Sequence, residues 1–121
     1  MTFDQHIGMQ RDPAGDGWAY IDVEPHHCNP TGAVNGGVIL SLADNVATGA
    51  ANRAYFDRTG ERAFLVGVDV HAVLVANQAG GRIRARGDAI RVGRRITVVR
   101  TEVRGDEDRL LATVTTTHVP T

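Results

Sequence analysis

The spacing of apolar residues changes period once along this chain. Between Asn35 and Gly60 they recur at helical spacing, at Val38, Ile39, Leu42, Ala43, Val46, Ala47, Ala50 and Ala51. Asn35 suits an N-cap ahead of the paired glycines Gly36 and Gly37, and Gly60 suits a left-handed stop just beyond Phe56. The predicted helix is apolar around most of its circumference, as expected of a helix buried by surrounding structure. Asp44 falls at its middle and is the only formal charge between Glu24 and Arg53. Desolvating a carboxylate is costly unless it is paired or hydrogen-bonded, so this position calls for a reason.

Elsewhere the period is two. Trp18, Tyr20 and Asp22 alternate with Ala19, Ile21 and Val23, predicting a first strand that Pro25 ends. Ahead of it, Phe3 to Met9 predicts a short amphipathic turn and Asp12 to Gly17 a loop; after it, His26 to Val34 is a loop punctuated by Pro30 and Gly32. Beyond the helix, Leu65 to Val75 predicts a strand with Val66, Val68, Val70, Ala72 and Leu74 on one face. Asn77 to Gly81 is a turn, and Arg82 to Val92 sets Ile83, Ala85, Gly87 and Ala89 against Arg84, Arg86 and Asp88. Gly93-Arg94 connects tightly to a strand from Ile96 to Val103. A charged turn from Gly105 to Asp108 then leads to a last strand from Leu110 to His118. One strand, one long helix and a run of strands predict an α+β fold, with an antiparallel five-stranded sheet wrapped around one long central helix.

Composition narrows the class. A chain of 121 residues is one domain, spanning 1–121, and 42% hydrophobic with 22% charged residues is ordinary for a soluble globular protein. The formal net charge of -1 gives no support to nucleic-acid or anionic-membrane partners. All 13 basic residues are arginine, a compositional bias rather than a functional signal. No apolar run reaches membrane-spanning length, and the N-terminus lacks the layout of a signal peptide. Cys28, the single cysteine, has no partner for an internal disulfide, so a cytoplasmic location is expected. His26 and His27 have no second ligand cluster at metal spacing, so no metal is expected.

The stretch HHCNPTGAVNGGVILSLAD, together with the β-α-β-β-β-β order, resembles the hotdog-fold acyl-CoA thioesterases of the phenylacetate-pathway type. Asn29, Gly32, Gly36, Gly37, Leu42, Ala43 and Asp44 match that family's pattern with unbroken spacing. Gly8 and Met9 resemble its N-terminal segment, and Gly93-Arg94-Arg95 its turn between late strands. Three positions depart from it. Asn35 stands where the family commonly has His, Gly67 where several members carry Ser or Thr near the catalytic water, and Val75-Ala76 where an Arg-Pro-like pair is frequent. The resemblance implies a hotdog fold, an acyl-CoA substrate, no cofactor beyond the CoA that is part of that substrate, and a homo-oligomer. A dimer would be the minimal unit, with a tetramer expected.

Thioester hydrolysis needs an activated water or nucleophile and donors for the oxyanion on the thioester carbonyl. The N–H groups at a helix N-terminus are unpaired and lie at the positive end of its dipole, and glycine at position 36 lets an acyl group approach that backbone. Asp44 is the only acid on the helix and could activate a water or attack directly. Its alternative is a structural acid bonded to backbone or to Ser41. Asn29 would orient substrate or water, or else make a local turn; Asn35 would cap the helix or join Gly37 and Gly67 in binding substrate. Arg94 and Arg95 are the arginines placed to bind CoA phosphates. Gly36 and Asp44 lie eight residues apart, roughly 12 Å along one helix at 1.5 Å per residue. One carbonyl carbon cannot touch both on a single helix, whereas an antiparallel helix from a second chain would bring its Asp44 beside this Gly36. A non-catalytic acyl-CoA binder is the alternative reading. A hotdog dehydratase ranks behind it, because no His stands in the helix-entry motif.

Overall fold

The computed structural model describes all residues from Met1 to Thr121. A short helix α1 (Phe3–His6) and strands β1 (Gln10–Arg11) and β2 (Ala19–Asp22) precede the long helix α2 (Gly36–Thr59). Strands β3 (Leu65–Leu74), β4 (Arg82–Val92), β5 (Thr97–Arg104) and β6 (Leu110–Pro120) follow it. All strands join one antiparallel sheet in the order β1-β2-β4-β5-β6-β3. The sheet therefore has six strands rather than the five expected. The extra one, β1, is a two-residue strand that pairs Gln10 with Tyr20 and Arg11 with Ala19, too short to leave a periodic signal in the sequence.

Helix α2 begins and ends as its sequence predicts. Asn35 Oδ1 accepts a hydrogen bond from the Gly37 N–H at 2.7 Å, and Gly60 takes a left-handed conformation with φ 73° at the far end. Ile39, Leu42, Ala43, Val46, Ala47, Ala50, Ala51 and Tyr55 are buried against the sheet. The opposite face is open, so the expectation of a helix enclosed on all sides is corrected: the sheet covers one side, and Asp44 is solvent-exposed in the single chain. An exposed carboxylate carries little desolvation cost. The open side carries small and polar residues, Gly37, Ser41, Asp44, Asn45 and Thr48, of which only Asp44 is charged.

The β4 alternation is as read, with Ile83, Ala85 and Gly87 buried beneath α2. On the outer face Arg82 stacks on the Tyr20 ring and pairs with Asp22, while Arg84 stacks on Trp18 and pairs with Asp108. In β3 the expected face is corrected by a bulge. Gly67 pairs with His118 and Asp69 with Thr117, so Val68 is an extra residue and the alternation flips across it. The inner face of β3 is thus Leu65, Gly67, Val70, Ala72 and Leu74. Strand β3 is also an edge of the sheet, and Val68, Val70, Val73 and Leu74 on it, with Val75 just beyond, are exposed.

At Gly87 the helix and the sheet approach closely. A Cβ there would lie 3.0 Å from Thr101 Oγ1, 3.1 Å from Val99 Cγ1 and 3.2 Å from Ala50 Cβ. Gly87→Val should therefore destabilise the fold by about 1–3 kcal/mol through overpacking, read as a lowered denaturation midpoint at unchanged slope. An unchanged midpoint would mean that α2 rides higher on the sheet than described.

Candidate active site

The helix-entry residues come together at one end of the molecule. The Asn29 Oδ1 accepts from the Thr31 N–H at 2.9 Å and from the Thr31 hydroxyl at 2.6 Å, forming a local turn. That leaves only the Nδ2 amide of Asn29 for a substrate or water. This loop is held to the β3–β4 connection: Val34 donates its N–H to Gln78 O at 3.0 Å, and Asn77 Nδ2 donates to Val34 O at 2.8 Å. The capping bond from Gly37 to Asn35 uses up the Gly37 N–H, while the Gly36 N–H, at the first helical position, has no partner within the chain. Of the two glycines, Gly36 is thus the free donor. Its open Cα faces the edge strand, since a Cβ on Gly36 would stand 3.2 Å from Leu74 Cδ1.

Asp44 lies over the other end of the same strand. The position of a Cβ on Gly67 is 3.8 Å from Asp44 Oδ1, 3.8 Å from His118 Nδ1 and 3.7 Å from His118 Cε1. Gly67, Asp44 and His118 therefore surround one small space at the sheet edge. Ser41 donates to Gly37 O at 2.7 Å rather than to Asp44, which rules out the proposed Ser41 tether. The tight turn carrying Arg94 and Arg95 belongs to this same end, because Thr97 pairs with His118 and His118 with Gly67 across neighbouring strands. Both arginines are exposed.

Within one chain, then, the expected site residues form two groups at opposite ends of β3. Asn35, Gly36 and Gly37 lie at the Leu74 end, with Asn29 in the loop that leads into them; Asp44, Arg94 and Arg95 lie at the Gly67 end. His118 is the residue that sequence reasoning missed. It is fully buried, its Nε2 lies 2.8 Å from Thr116 Oγ1, and its Nδ1 has no hydrogen-bond partner. Period-two alternation from Ala112 through Val114 and Thr116 places His118 on the inner face, and that parity could have singled it out. His27, also buried, is a structural tie instead: Nδ1 accepts from the Glu24 N–H at 2.9 Å and Nε2 donates to Ile7 O at 2.8 Å.

The thioesterase superfamily profile matches residues 31–112, which carry Gly36, Asp44, Gly67 and Arg94. The chain belongs to the thioesterase superfamily. A Mycobacterium tuberculosis relative named a "putative esterase" is 31% identical over 114 residues, covering 93% of this chain and 81% of the relative. The solved structure of a Haemophilus influenzae thioesterase superposes with a TM-score of 0.86 at 26% identity, over 98% of this chain and 81% of that one. Two more distant structures share the fold. A Bacillus halodurans protein solved with CoA has a TM-score of 0.85 at 20% identity, covering 98% of this chain and 74% of that one. The Escherichia coli PaaI protein has a TM-score of 0.83 at 16% identity, covering 98% and 83%. The hotdog architecture expected from the helix-entry motif is therefore the architecture of this superfamily member, and the names of its relatives point to thioester hydrolysis in general.

Burial holds the His118 imidazole below the ordinary histidine pKa, and the Asp44 carboxylate partly opposes that shift. Asp44 is the charged group facing it from α2, while its register neighbours on β3 and β5, Gly67 and Thr97, carry no charge. The unfolded chain takes up this proton near pH 6.5, roughly the free-histidine value, and the folded chain only at lower pH. The stability tied to a neutral His118 is thus full above about pH 6.5 and declines as pH falls toward the folded pKa. Urea melts between about pH 7 and pH 5 should show His118→Gln losing less stability than the parent over that interval. Parallel pH dependence in the two proteins would mean the imidazole titrates alike folded and unfolded.

Proposed function

We propose that this protein is an acyl-CoA thioesterase whose site is shared between two copies of the chain. The observation that carries the reading is the placement of Gly36 and Asp44 over opposite ends of one exposed edge strand. An apolar edge with unpaired backbone groups is a template for pairing with another strand. Antiparallel pairing of β3 with the β3 of a second copy, about a two-fold axis, lays the Gly67 end of one strand against the Leu74 end of the other. Asp44 of one protomer then approaches the free Gly36 N–H of its partner. The pairing also covers Val70 and Leu74, which are 54% and 49% exposed in the single chain.

In that arrangement the Gly36 N–H binds the thioester carbonyl oxygen and stabilises the negative charge that develops on it. The Asp44 carboxylate takes a proton from water as the water attacks the carbonyl carbon, or attacks that carbon itself to give an anhydride that water then cleaves. Collapse of the tetrahedral species breaks the C–S bond. The products are the free acid and the CoA thiol, the sulfur taking up a proton. Asn29 Nδ2 orients the acyl carbonyl or the water from the helix-entry side. Arg94 and Arg95, at the Asp44 end, meet the phosphates of the CoA tail. CoA as the thiol carrier is supported by the family resemblance and by the CoA-bound Bacillus halodurans neighbour.

Hydrolysis of short, long and aromatic acyl-CoA thioesters, followed by thiol release, tests the activity. Asp44→Asn should lower kcat by at least about a hundredfold while the fold and ligand binding persist. Binding that protects against heat, without turnover by the parent on any thioester, would make the protein a binder.

Complementation tests the shared site. Asp44→Ala and Gly36→Val chains are each expected to be inactive as homodimers. Unfolded together and refolded, they should pair at random, giving about half mixed dimers and restoring about a quarter of all sites. No recovery, with mixed dimers proven by mass spectrometry, would place the whole site within one chain.

A further inference from the structure

We propose that His118 is a positioning residue for the Asp44 carboxylate, acting across the space that Gly67 leaves open. The inference rests on the reading of Asp44 given above. Three independent features support it. First, the imidazole is wholly enclosed, with 0% of its surface exposed, yet Nδ1 has no partner in the chain. A buried ring nitrogen left unpaired is costly, so such atoms nearly always meet a polar group or an ordered water. Second, Asp44 shares a space with this nitrogen: the vacant Cβ position of Gly67 is 3.8 Å from His118 Nδ1 and 3.8 Å from Asp44 Oδ1. Third, the other ring nitrogen is already held, with Nε2 at 2.8 Å from Thr116 Oγ1. That contact fixes the plane of the ring; in the proposed arrangement the hydroxyl donates to Nε2 and the proton sits on Nδ1.

The resulting chain of donors runs from the Thr116 hydroxyl to Nε2, and from Nδ1–H across the gap to the carboxylate or to a water bound to it. A negative charge on Asp44 favours the proton on the nearer nitrogen, so the tautomer and the carboxylate reinforce each other. An exposed acid on a helix surface otherwise samples several rotamers. A donor fixed in the sheet holds one carboxylate oxygen on the sheet side and leaves the other for the water or the thioester carbon. The glycine at position 67 is part of the device, since a side chain there enters the space between the two groups. Thr97, whose buried hydroxyl is also unpaired, adjoins His118 in register on β5.

Steady-state kinetics on one acyl-CoA substrate, with His118→Asn, His118→Gln and His118→Leu, test this. An asparagine amide falls near the Nδ1 position, whereas a glutamine amide falls near Nε2. His118→Leu and His118→Gln should lower kcat by roughly 10–100-fold with KM within about twofold, and His118→Asn should recover most of the loss. In an Asp44→Asn background, His118→Leu should have no further effect on kcat, because it acts through the carboxylate. Equal losses in the Asn and Gln variants, or a folded His118→Leu protein with parental kcat, would overturn the inference. If His118→Leu does not fold, the comparison of Asn with Gln decides alone. Should Asp44→Asn itself keep parental kcat, the reading of the site fails and the inference with it. A slow Asp44→Asn protein beside fast His118 variants removes the inference only.

Discussion

The architecture depends on how closely one helix can lie on a sheet. Helix α2 meets the strands through Ala43, Ala47, Ala50 and Ala51, and the strands answer with Ala85, Gly87 and Ala112. Small residues on both surfaces let the helix backbone come close to the strands at these points, while Ile39, Leu42 and Val46 fill the space beside them against Ile21, Ile83 and Val103. Contact this close limits how far the helix can shift, and it holds Gly36 and Asp44, the two positions of the proposed site, over the strand beneath. That is why Gly36 lies by Leu74 and Asp44 by Gly67 rather than at distances a longer side chain would set.

Much of this was legible in the sequence because the relevant signals are local. The cap at Asn35, the stop at Gly60 and the four long strands each follow from residues within a few positions of the feature. The strand β1 was not legible, since two residues carry no period and its pairing depends on β2 across a loop. The exposure of Asp44 was not legible either. Helical spacing reports which residues share a face, but which side the sheet covers is decided by strands up to 76 positions further on, at Pro120.

For the site, the separation of Gly36 and Asp44 along the helix was readable as arithmetic, whereas their common relation to β3 needed the fold. The choice of Gly36 over Gly37 as free donor turns on one hydrogen bond, that from Gly37 to Asn35. His118 was overlooked because a strand rich in threonine draws attention to β-propensity and away from parity. The same four residues, Thr115 to His118, hold two facing the core and two facing outward.

The single extra residue in β3 has a geometric consequence for the whole edge. Before Val68, odd-numbered positions face the helix; after Asp69, even-numbered ones do. Without that half-step, a strand showing Gly67 to the helix at one end would show Val73 rather than Leu74 at the other. The two ends of the edge would then be out of phase, one surface of α2 meeting the inside of the pleat and the other its outside. Val68 acts as a phase shifter. The shared site proposed for this strand would be tuned by the count of residues between its ends as much as by their identity, so a one-residue deletion here would disturb the far end more than many substitutions within it.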